Sequence, residues 1–339
     1  MNKNRSKFIT IIFILAALLF LVGRYSYFHI SAFIKNPLNP SAKEKIFIIK
    51  PGQNLKLIAA NLEKESIISN KTYFMLFAKF KKAGRNLQAG EYLLSGAKSP
   101  EQILKILAQG KVKLYKITFP EGLNIRETAL LLQNAGFCSK NEFTDLCYNT
   151  NFAESMGIEA ASLEGYLFPD TYFFSKQASC KKIVQTMVDH FKNTFTKEWK
   201  RKAESKNFSI HDIVTLASII EKETGDASER VIIASVFHNR LKRNMRLESD
   251  PTVIYGIKNF DGNIKRKHLK EKTPYNTYQI KGLPMGPIAN PGALSLHAAL
   301  NPASTSYLFF VSKKDTTHKF SRTIEEHNQA VRKYQLRRK

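Results

Sequence analysis

A continuous apolar run from Phe8 to Val22 constrains this chain more than any other feature of its sequence. The run is slightly short for a membrane-spanning helix, but the glycine and aromatic residues at 23–28 extend it to about 20 residues, the length that a bilayer requires. Three basic residues precede it, namely Lys3, Arg5 and Lys7. Because basic residues are retained on the cytoplasmic side, this pattern predicts a single-pass anchor with its N-terminus in the cytoplasm.

A cleaved signal peptide is the alternative interpretation of the same run. Such a peptide needs small residues just after the apolar segment, and Gly23-Arg24-Tyr25 offers no good cleavage site, so an uncleaved anchor is favoured. We therefore assign residues 1–30 to the cytoplasmic N-terminus and transmembrane anchor, and residues 31–45, which contain two prolines, to a linker. The remainder then lies on the outer, periplasmic side of a bacterial cytoplasmic (inner) membrane. The sequence leaves open whether the cell has an outer membrane.

The charge of the chain indicates an anionic environment. Lysine and arginine number 53 against 28 aspartates and glutamates, a formal net charge of +25, which suits nucleic acid, a membrane surface or an acidic polymer. An exported location argues against nucleic acid and favours anionic lipids and wall polymers. The three cysteines, Cys138, Cys147 and Cys180, match no zinc spacing, so we expect neither a metal site nor a cofactor. At most one disulfide can form, and the spacing does not say which.

Residues 46–115 are predicted to form a small αβ subdomain. A strand at 46–49 is followed by a Pro51-Gly52 turn, two helices and a strand that resumes at Gly90, and Ser99 to Gln102 form a capping box that opens a further helix. This strand-helix-helix-strand order resembles a LysM domain, a module associated with peptidoglycan-type glycans. A structural spacer without a ligand is the alternative, since small αβ modules recur with many uses.

The segment from Ile213 to Gly225 is predicted to be a buried helix whose last turn becomes ionic. Apolar residues recur at helical spacing, His211-Asp212 can start the helix, and Gly225 lies where a C-terminal cap would. Glu221 follows directly after Ile220, so its carboxyl could emerge beside an apolar wall that disfavours the charged form. A carboxyl that is protonated near neutral pH can act as a general acid. A solvated, charge-decorated helix end is the alternative interpretation of the Glu-Lys-Glu sequence.

Two further stretches of the larger domain, residues 116–339, carry candidate substrate-binding residues. The segment from Glu164 to Tyr172 combines aromatic rings, which stack on sugars, with carboxylates, which bind hydroxyls, although aromatics at this density also form cores. The Pro/Gly-rich loop at 282–292 needs a specific backbone shape typical of functional loops, with an ordinary rigid connection as the alternative. The candidate substrate-binding residues are Glu164, Tyr166, Asp170, Glu223, Asn239, Asp250, Tyr275, Asn276, Thr277 and Asn290.

Several separate motifs, in a consistent order, resemble the YceG-like family of endolytic murein transglycosylases. They are Leu163 to Tyr172, Leu216 to Thr224, Ser235 to Leu241, Ser249 to Thr252, the loop from Tyr275 to Gly292, and Tyr307 to Val311. The resemblance covers essentially the whole chain, including the anchor and the LysM-like part. One departure is Met285, where many members have a proline, so that Leu-Pro-Met-Gly replaces Leu-Pro-Pro-Gly.

The resemblance implies a membrane-anchored lyase that cuts within nascent peptidoglycan strands. The family cleaves the β-1,4 bond between N-acetylmuramic acid and N-acetylglucosamine without water, leaves a 1,6-anhydromuramyl end, and terminates strand elongation beside the peptidoglycan synthases. Its catalytic glutamate, the first of the Glu-Lys-Glu motif, falls on Glu221. One carboxyl is chemically sufficient, because the sugar's own 6-hydroxyl serves as the nucleophile, whereas other glycosidases need a second carboxylate.

Other residues are expected to assist Glu221. Asp250 and Glu223 could stabilise an oxocarbenium-like state, and Tyr275-Asn276-Thr277 could orient the N-acetyl group. The whole chain is thus predicted to be an α+β protein with an N-terminal transmembrane helix, a small LysM-like αβ subdomain and a larger mixed α+β catalytic domain. The alternative is an anchored, non-catalytic glycan-binding scaffold of the cell-wall synthesis machinery. The sequence does not identify the synthase partner, the oligomeric state or the glycan and peptide specificity.

Overall fold

The computed structural model describes residues 2–257 and 260–336. The predicted basic tail at 337–339 lies outside these residues, and so do the side chains of Lys3 and Arg5. The chain forms two compact units. The first comprises the residues up to Tyr115 together with Ser175–Gln177, and the second comprises Lys116–Phe174 and the residues from Ala178 onward.

The apolar run lies within one continuous helix, α1 (Asn2–Lys35), of the first unit. Its segment Lys7–Lys35 is the one helix in the described part of the chain that is long and apolar enough to cross a membrane. The large apolar side chains from Phe8 to Phe28 are exposed, which suits contact with lipid. The linker expected from residue 31 begins later than predicted, because residues 31–35 continue the helix and Phe33 and Ile34 pack against the core of the first unit.

The rest of the first unit is a two-stranded antiparallel sheet covered by helices. Strands β1 (Lys45–Ile49) and β2 (Gly90–Leu94) pair so that Phe47 lies opposite Tyr92, and both of these side chains are buried. Three helices complete the unit: α2 (Leu55–Lys64), α3 (Lys71–Phe80) and α4 (Pro100–Ala108). The predicted strand-helix-helix-strand order and the capping box at Ser99 are confirmed.

The second unit combines many helices with two small two-stranded sheets. Its elements are β3 (Tyr115–Thr118), α5 (Ile125–Asn134), α6 (Lys140–Cys147), α7 (Thr150–Ser155), β4 (Thr171–Phe174), α8 (Cys180–Thr194), α9 (Lys197–Ser205), α10 (Ile210–Glu223), α11 (Arg230–Lys242), α12 (Asp250–Gly256), α13 (Arg266–Lys270), α14 (Ala293–Leu300), β5 (Phe309–Ser312), β6 (His318–Ser321) and α15 (Ile324–Val331). Strand β3 pairs with β4, and β5 pairs antiparallel with β6. This mixture of helices and sheets agrees with the α+β prediction.

Helix α10 is the centre of the second unit. All eight residues from Ile213 to Ile220 are buried, and the helix packs against α11, α12 and α14. Its ends lie within two residues of the predicted ones. The helix begins at Ile210, because Ser209 forms a capping box with Asp212, and it ends at Glu223, where Thr224 turns to an extended conformation before Gly225 is reached.

Strand β3 is shorter than its sequence pattern. Residues 111–119 alternate between polar and apolar, a pattern that favours a strand, but only Tyr115–Thr118 pairs, since its partner β4 has just 4 residues. Alternation indicates which residues are able to form a strand. The available partner decides how many of them do.

Candidate active site

Glu221 lies in the last turn of α10, and both oxygens of its carboxyl are bound. Its side chain is only 6% exposed, and Oε1 lies 3.1 Å from Nη2 of Arg230, the first residue of α11. Oε2 accepts a 2.9 Å hydrogen bond from the backbone N–H of Gly292, the N-cap residue of α14. Three helices therefore converge on this carboxyl.

The immediate surroundings of Glu221 are more polar than the sequence analysis expected. The buried residues that precede it supply the predicted apolar side of the helix, but a guanidinium and an N–H group contact the carboxyl itself. Both donors hold the carboxyl in place, and Arg230 is itself held by a 3.0 Å hydrogen bond from Nε to Ser295 Oγ. No pattern had indicated Arg230, because it reaches Glu221 across the connection between two helices.

A second carboxyl, which the sequence analysis missed, lies at the same guanidinium. Oε2 of Glu121 is 3.7 Å from Nη2 of Arg230, and the Glu121 side chain is 44% exposed. Partial burial raises the pKa of the Glu121 carboxyl, the charge of Glu221 raises it further, and Arg230 opposes both effects. The sequence offered only a Pro-Glu-Gly turn at this position, which predicts a loop and does not by itself indicate a site.

Gly292 lies against both carboxyls. Its N–H donates to Glu221, and a Cβ atom added to it would overlap Oε1 of Glu121. The backbone at Gly292 has φ −78° and ψ 173°, which any residue can adopt. A side chain at position 292 would therefore displace the Glu121 side chain, whereas the backbone itself does not require glycine.

Asn290, a predicted substrate-binding residue, holds the segments around Glu221 together. It is buried, and its Oδ1 accepts hydrogen bonds of 3.0 Å from the N–H groups of both Gly165 and Leu167. Its Nδ2 donates to the Leu123 carbonyl at 2.7 Å, and its own carbonyl accepts from Gly122 at 2.9 Å. These bonds occupy Oδ1, so Asn290 positions the turn that carries Glu121.

Glu223 and Asp250, expected to assist Glu221, form a separate group at the C-terminal end of α10. Burial raises the pKa of the Glu223 carboxyl to about 7, although a hydrogen bond from Ser249 Oγ opposes this effect. Asp250 is exposed and accepts a 2.8 Å hydrogen bond from the hydroxyl of Tyr278. The predicted Thr277 is buried, and its Oγ1 accepts from the N–H of Ser249 at 2.9 Å. Ser249 thus joins two of the predicted residues, Glu223 and Thr277, and Asp250 directly follows it in the chain.

Glu164 is buried beside a small aromatic cavity. Its carboxyl accepts hydrogen bonds from the N–H of Ile125 at 3.1 Å and from the hydroxyl of Tyr255 at 2.9 Å. Burial raises the pKa of this carboxyl to about 8, and both hydrogen bonds oppose the rise. The cavity, of about 250 Å³, is lined by Arg126, Tyr148, Tyr255, Gly256, Ile257 and the predicted Tyr275. The hydrogen bond from Tyr255 thus connects Glu164 to the wall of this cavity.

The raised pKa of Glu164 leads to a prediction about how the free energy of unfolding depends on pH. In the unfolded chain this carboxyl titrates near 4.5, and in the folded protein its pKa is about 8. Below pH 4.5 the Glu164 carboxyl is protonated in both the folded and the unfolded state, and its contribution to the free energy of unfolding is complete. This contribution is lost as the pH rises toward 8, because the unfolded state releases the proton while the folded state keeps it. Glu164→Gln should therefore remove at least about 1 kcal/mol of the pH dependence of unfolding in this range.

Urea unfolding, followed by the fluorescence of the single tryptophan Trp199 in α9, measures this difference. The variant and the natural protein are compared at several pH values, so that contributions from all other groups cancel. Equal slopes for the two proteins would show that Glu164 titrates normally.

The four remaining predicted residues have mainly structural contacts. Tyr166 is buried and its hydroxyl pairs with Nδ1 of His211 at 2.9 Å, whereas Asp170 is exposed. Asn239 donates to the carbonyls of Thr305 and Tyr307. The buried Asn276 donates to the carbonyls of residues 268, 269 and 271. None of the four is hydrogen-bonded to Glu221 among the described residues.

The cysteines are candidates for both a disulfide and a metal site. Cys138 and Cys180 form a disulfide with a Cα–Cα distance of 5.6 Å, and Cys147 is free and buried. Among the described residues, Cys138, Cys180 and Glu142 are the one group with the spacing of metal ligands. Two sulfurs joined to each other are not the thiolates that a soft metal requires. We therefore interpret this group as a covalent link between α8 and the segment before α6.

Comparison with known proteins agrees with the resemblance found in the motifs. Residues 47–333 match the YceG-like family. The endolytic murein transglycosylase of Bacillus subtilis (strain 168) is 34% identical over 318 residues, which cover 88% of this chain and 87% of that protein. The endolytic murein transglycosylase of Streptococcus pneumoniae serotype 2 is 26% identical over 308 residues, covering 81% of this chain and 56% of that protein.

A solved structure extends the agreement to the fold. The crystal structure of a YceG-like protein from Listeria monocytogenes aligns with a TM-score of 0.59 at 33% identity, over 85% of this chain and 98% of that one. The family match and these relatives each span most of the chain. The chain therefore belongs to the YceG-like family.

Proposed function

We propose that this protein is an endolytic peptidoglycan lytic transglycosylase, a lyase, in which Glu221 is the catalytic residue. The observation that carries the proposal is the buried, doubly bound carboxyl of Glu221 beside a half-exposed carboxyl, in a chain whose relative at 34% identity is named an endolytic murein transglycosylase. A buried carboxyl with fixed contacts is suited to proton transfer at one defined atom.

The proposed reaction needs no water and no cofactor. Protonated Glu221 donates its proton to the oxygen of the MurNAc-β-1,4-GlcNAc bond, and that oxygen keeps the electron pair as its bond to C1 breaks. The 6-hydroxyl of the same muramyl residue then bonds to C1, and its proton passes to the Glu221 carboxylate. The products are a 1,6-anhydromuramyl end and a free GlcNAc 4-hydroxyl, and Glu221 regains its proton. Within a nascent strand, this cut terminates elongation.

The same proposal includes a location at the cytoplasmic membrane. Helix α1 supplies a candidate span, and the disulfide supports an oxidising compartment outside the cytoplasm for the second unit. The net charge of +25 suits anionic lipids and wall polymers on that side. A LysM-like role of the first unit in glycan binding, and peptidoglycan synthases as neighbours, rest on the family resemblance alone.

Product analysis tests the proposal. The full-length protein in detergent is incubated with uncross-linked peptidoglycan strands, and the new ends are identified by mass spectrometry. We expect anhydromuramyl ends inside the strands. Reducing ends would instead indicate a hydrolase, with Glu223 or Asp250 as the next residue to test. Binding without any cleavage would favour the scaffold function.

A further inference from the structure

The cavity beside Glu164 has no part in the proposed chemistry, yet separate segments of the second unit converge to build it. Arg126 comes from the start of α5, Tyr148 directly follows α6, Tyr255 lies at the end of α12, and Tyr275 lies in the loop after α13. The rings of Tyr255 and Tyr275 pack at 4.8 Å with an interplanar angle of 60°. The Tyr255 hydroxyl donates to the buried Glu164, which fixes the direction of that ring. The cavity therefore has an ordered aromatic wall.

Arg126 gives the mouth of this cavity a positive charge. Its side chain is exposed and interacts with Tyr148, and it forms no ion pair within 4 Å in the described part of the chain. The carboxyl of the next residue, Glu127, accepts a 2.9 Å hydrogen bond from the N–H of Asn124 at the helix start. Burial raises the pKa of Glu164 to about 8, so this carboxyl holds a proton at pH 7. The cavity is thus complementary to an anionic group.

The cavity lies within a short distance of Glu221. A Cβ atom added to Gly122 would lie 3.6 Å from Cγ of Glu221, so Gly122 borders that side chain. Arg126 is four residues further along the chain, and the two Cα atoms are therefore at most about 14 Å apart. A peptide of about four residues spans a similar distance when extended. Peptidoglycan carries such short peptides, with free carboxylates, on its muramyl residues.

We propose that this cavity is a subsite for a carboxylate of the peptide stem on the muramyl residue held at Glu221, with Arg126 as the residue that binds the carboxylate. This inference rests on the proposed function. Arginine presents paired N–H donors that match the two oxygens of a carboxylate, and the three tyrosines contact the aliphatic part of the stem. A neutral sugar would use the rings but leave the charge of Arg126 unmatched. Because GlcNAc residues carry no stem, the subsite also selects which of the two alternating glycosidic bonds lies at Glu221.

The test compares two forms of the same uncross-linked strands, one with free stem carboxylates and one with these carboxylates converted to neutral amides. Full-length natural protein and Arg126→Gln are assayed by the appearance of anhydromuramyl ends, and kcat and KM are measured separately. The natural protein should cleave the free-acid strands with a kcat/KM about fivefold higher than the amidated strands. Arg126→Gln should reduce this ratio to nearly one, and its loss on free-acid strands should appear in KM rather than in kcat.

Two further variants separate this role from a general effect of charge. Arg201→Gln removes the same charge from an exposed position on α9 and should keep the fivefold ratio. Arg126→Lys keeps the charge without the paired donors and should keep only part of the ratio. Because Arg126 is exposed, all three variants should unfold at nearly the same urea concentration as the natural protein.

The outcomes are distinct. Equal cleavage of the two strand forms by the natural protein, or a fivefold ratio that persists in Arg126→Gln, would overturn the inference while leaving the proposed function intact. An equal fall of kcat on both forms would also overturn it, because Arg126 would then have a structural role. Strands stripped of their stems keep only the lactyl carboxylate, and an equally strong effect of Arg126→Gln on their KM would assign the cavity to that group instead. Absence of anhydromuramyl ends from the natural protein would overturn the proposed function itself.

Discussion

Glu221→Gln should abolish cleavage of glycan strands, with a loss of turnover of about 10³-fold or more. Glutamine keeps the size and one oxygen of the side chain, so it still accepts a hydrogen bond from the N–H of Gly292, but it has no acidic proton to give to the leaving oxygen. It also removes the carboxylate that would receive the proton of the 6-hydroxyl. Mass spectrometry of the new strand ends, at saturating strand concentration, measures the loss.

Two controls belong to this result. Binding of strands by the variant should stay within a few-fold of the natural protein, because the change is confined to a side chain that is 6% exposed. Glu154→Gln, at an exposed position on α7, should cleave at the natural rate. If Glu221→Gln kept a tenth or more of the natural turnover, another group would have to be the acid.

Loss of the disulfide between Cys138 and Cys180 should have the largest effect on stability. The bond closes a loop with a sequence separation of 42. On the chain-entropy account, releasing such a loop costs about 4 kcal/mol of the free energy of unfolding. Urea unfolding of the full-length protein, followed by Trp199 fluorescence with and without reductant, reports on the second unit, to which both cysteines and the tryptophan belong.

The control for this experiment is the double variant Cys138→Ser with Cys180→Ser. It should be as unstable as the reduced natural protein and should not respond to reductant, because the remaining Cys147 is buried and unpaired. A natural protein that unfolds at the same urea concentration with and without reductant would show that the bond contributes nothing.

Local patterns in the sequence were sufficient to predict several helices of this protein, including α10, which carries Glu221. The capping box at Ser99 correctly marked the start of a helix, because the cap and the residue three positions later contact each other within one turn. The family resemblance also came from contiguous motifs. The end of helix α1 shows the limit of such patterns. Its last residues lack an apolar period, yet they remain helical because they pack against α3 and α4.

Two residues at the Glu221 site, Glu121 and Gly292, could not be predicted, because each comes from a distant part of the chain. Glu121 precedes it by a hundred residues and Gly292 follows it by about seventy, and neither position has a pattern that indicates its neighbour. Likewise, Asn290 looked like a ligand-binding amide in a special loop, whereas its contacts show that it joins three segments of the backbone. A residue type suggests what a side chain can bond to, and only the fold decides which of those partners it meets.

Helix α1 has a consequence for how the enzyme would find its substrate. At 1.5 Å per residue, the 29 residues of Lys7–Lys35 extend about 44 Å, against about 30 Å of bilayer hydrocarbon. The surplus is rigid helix that ends inside the first unit, and not a slack tether. With α1 in a bilayer, the first unit is held at a nearly constant height and diffuses only in the plane of the membrane. Encounters with a growing strand then depend on surface density in two dimensions rather than on concentration in the surrounding volume.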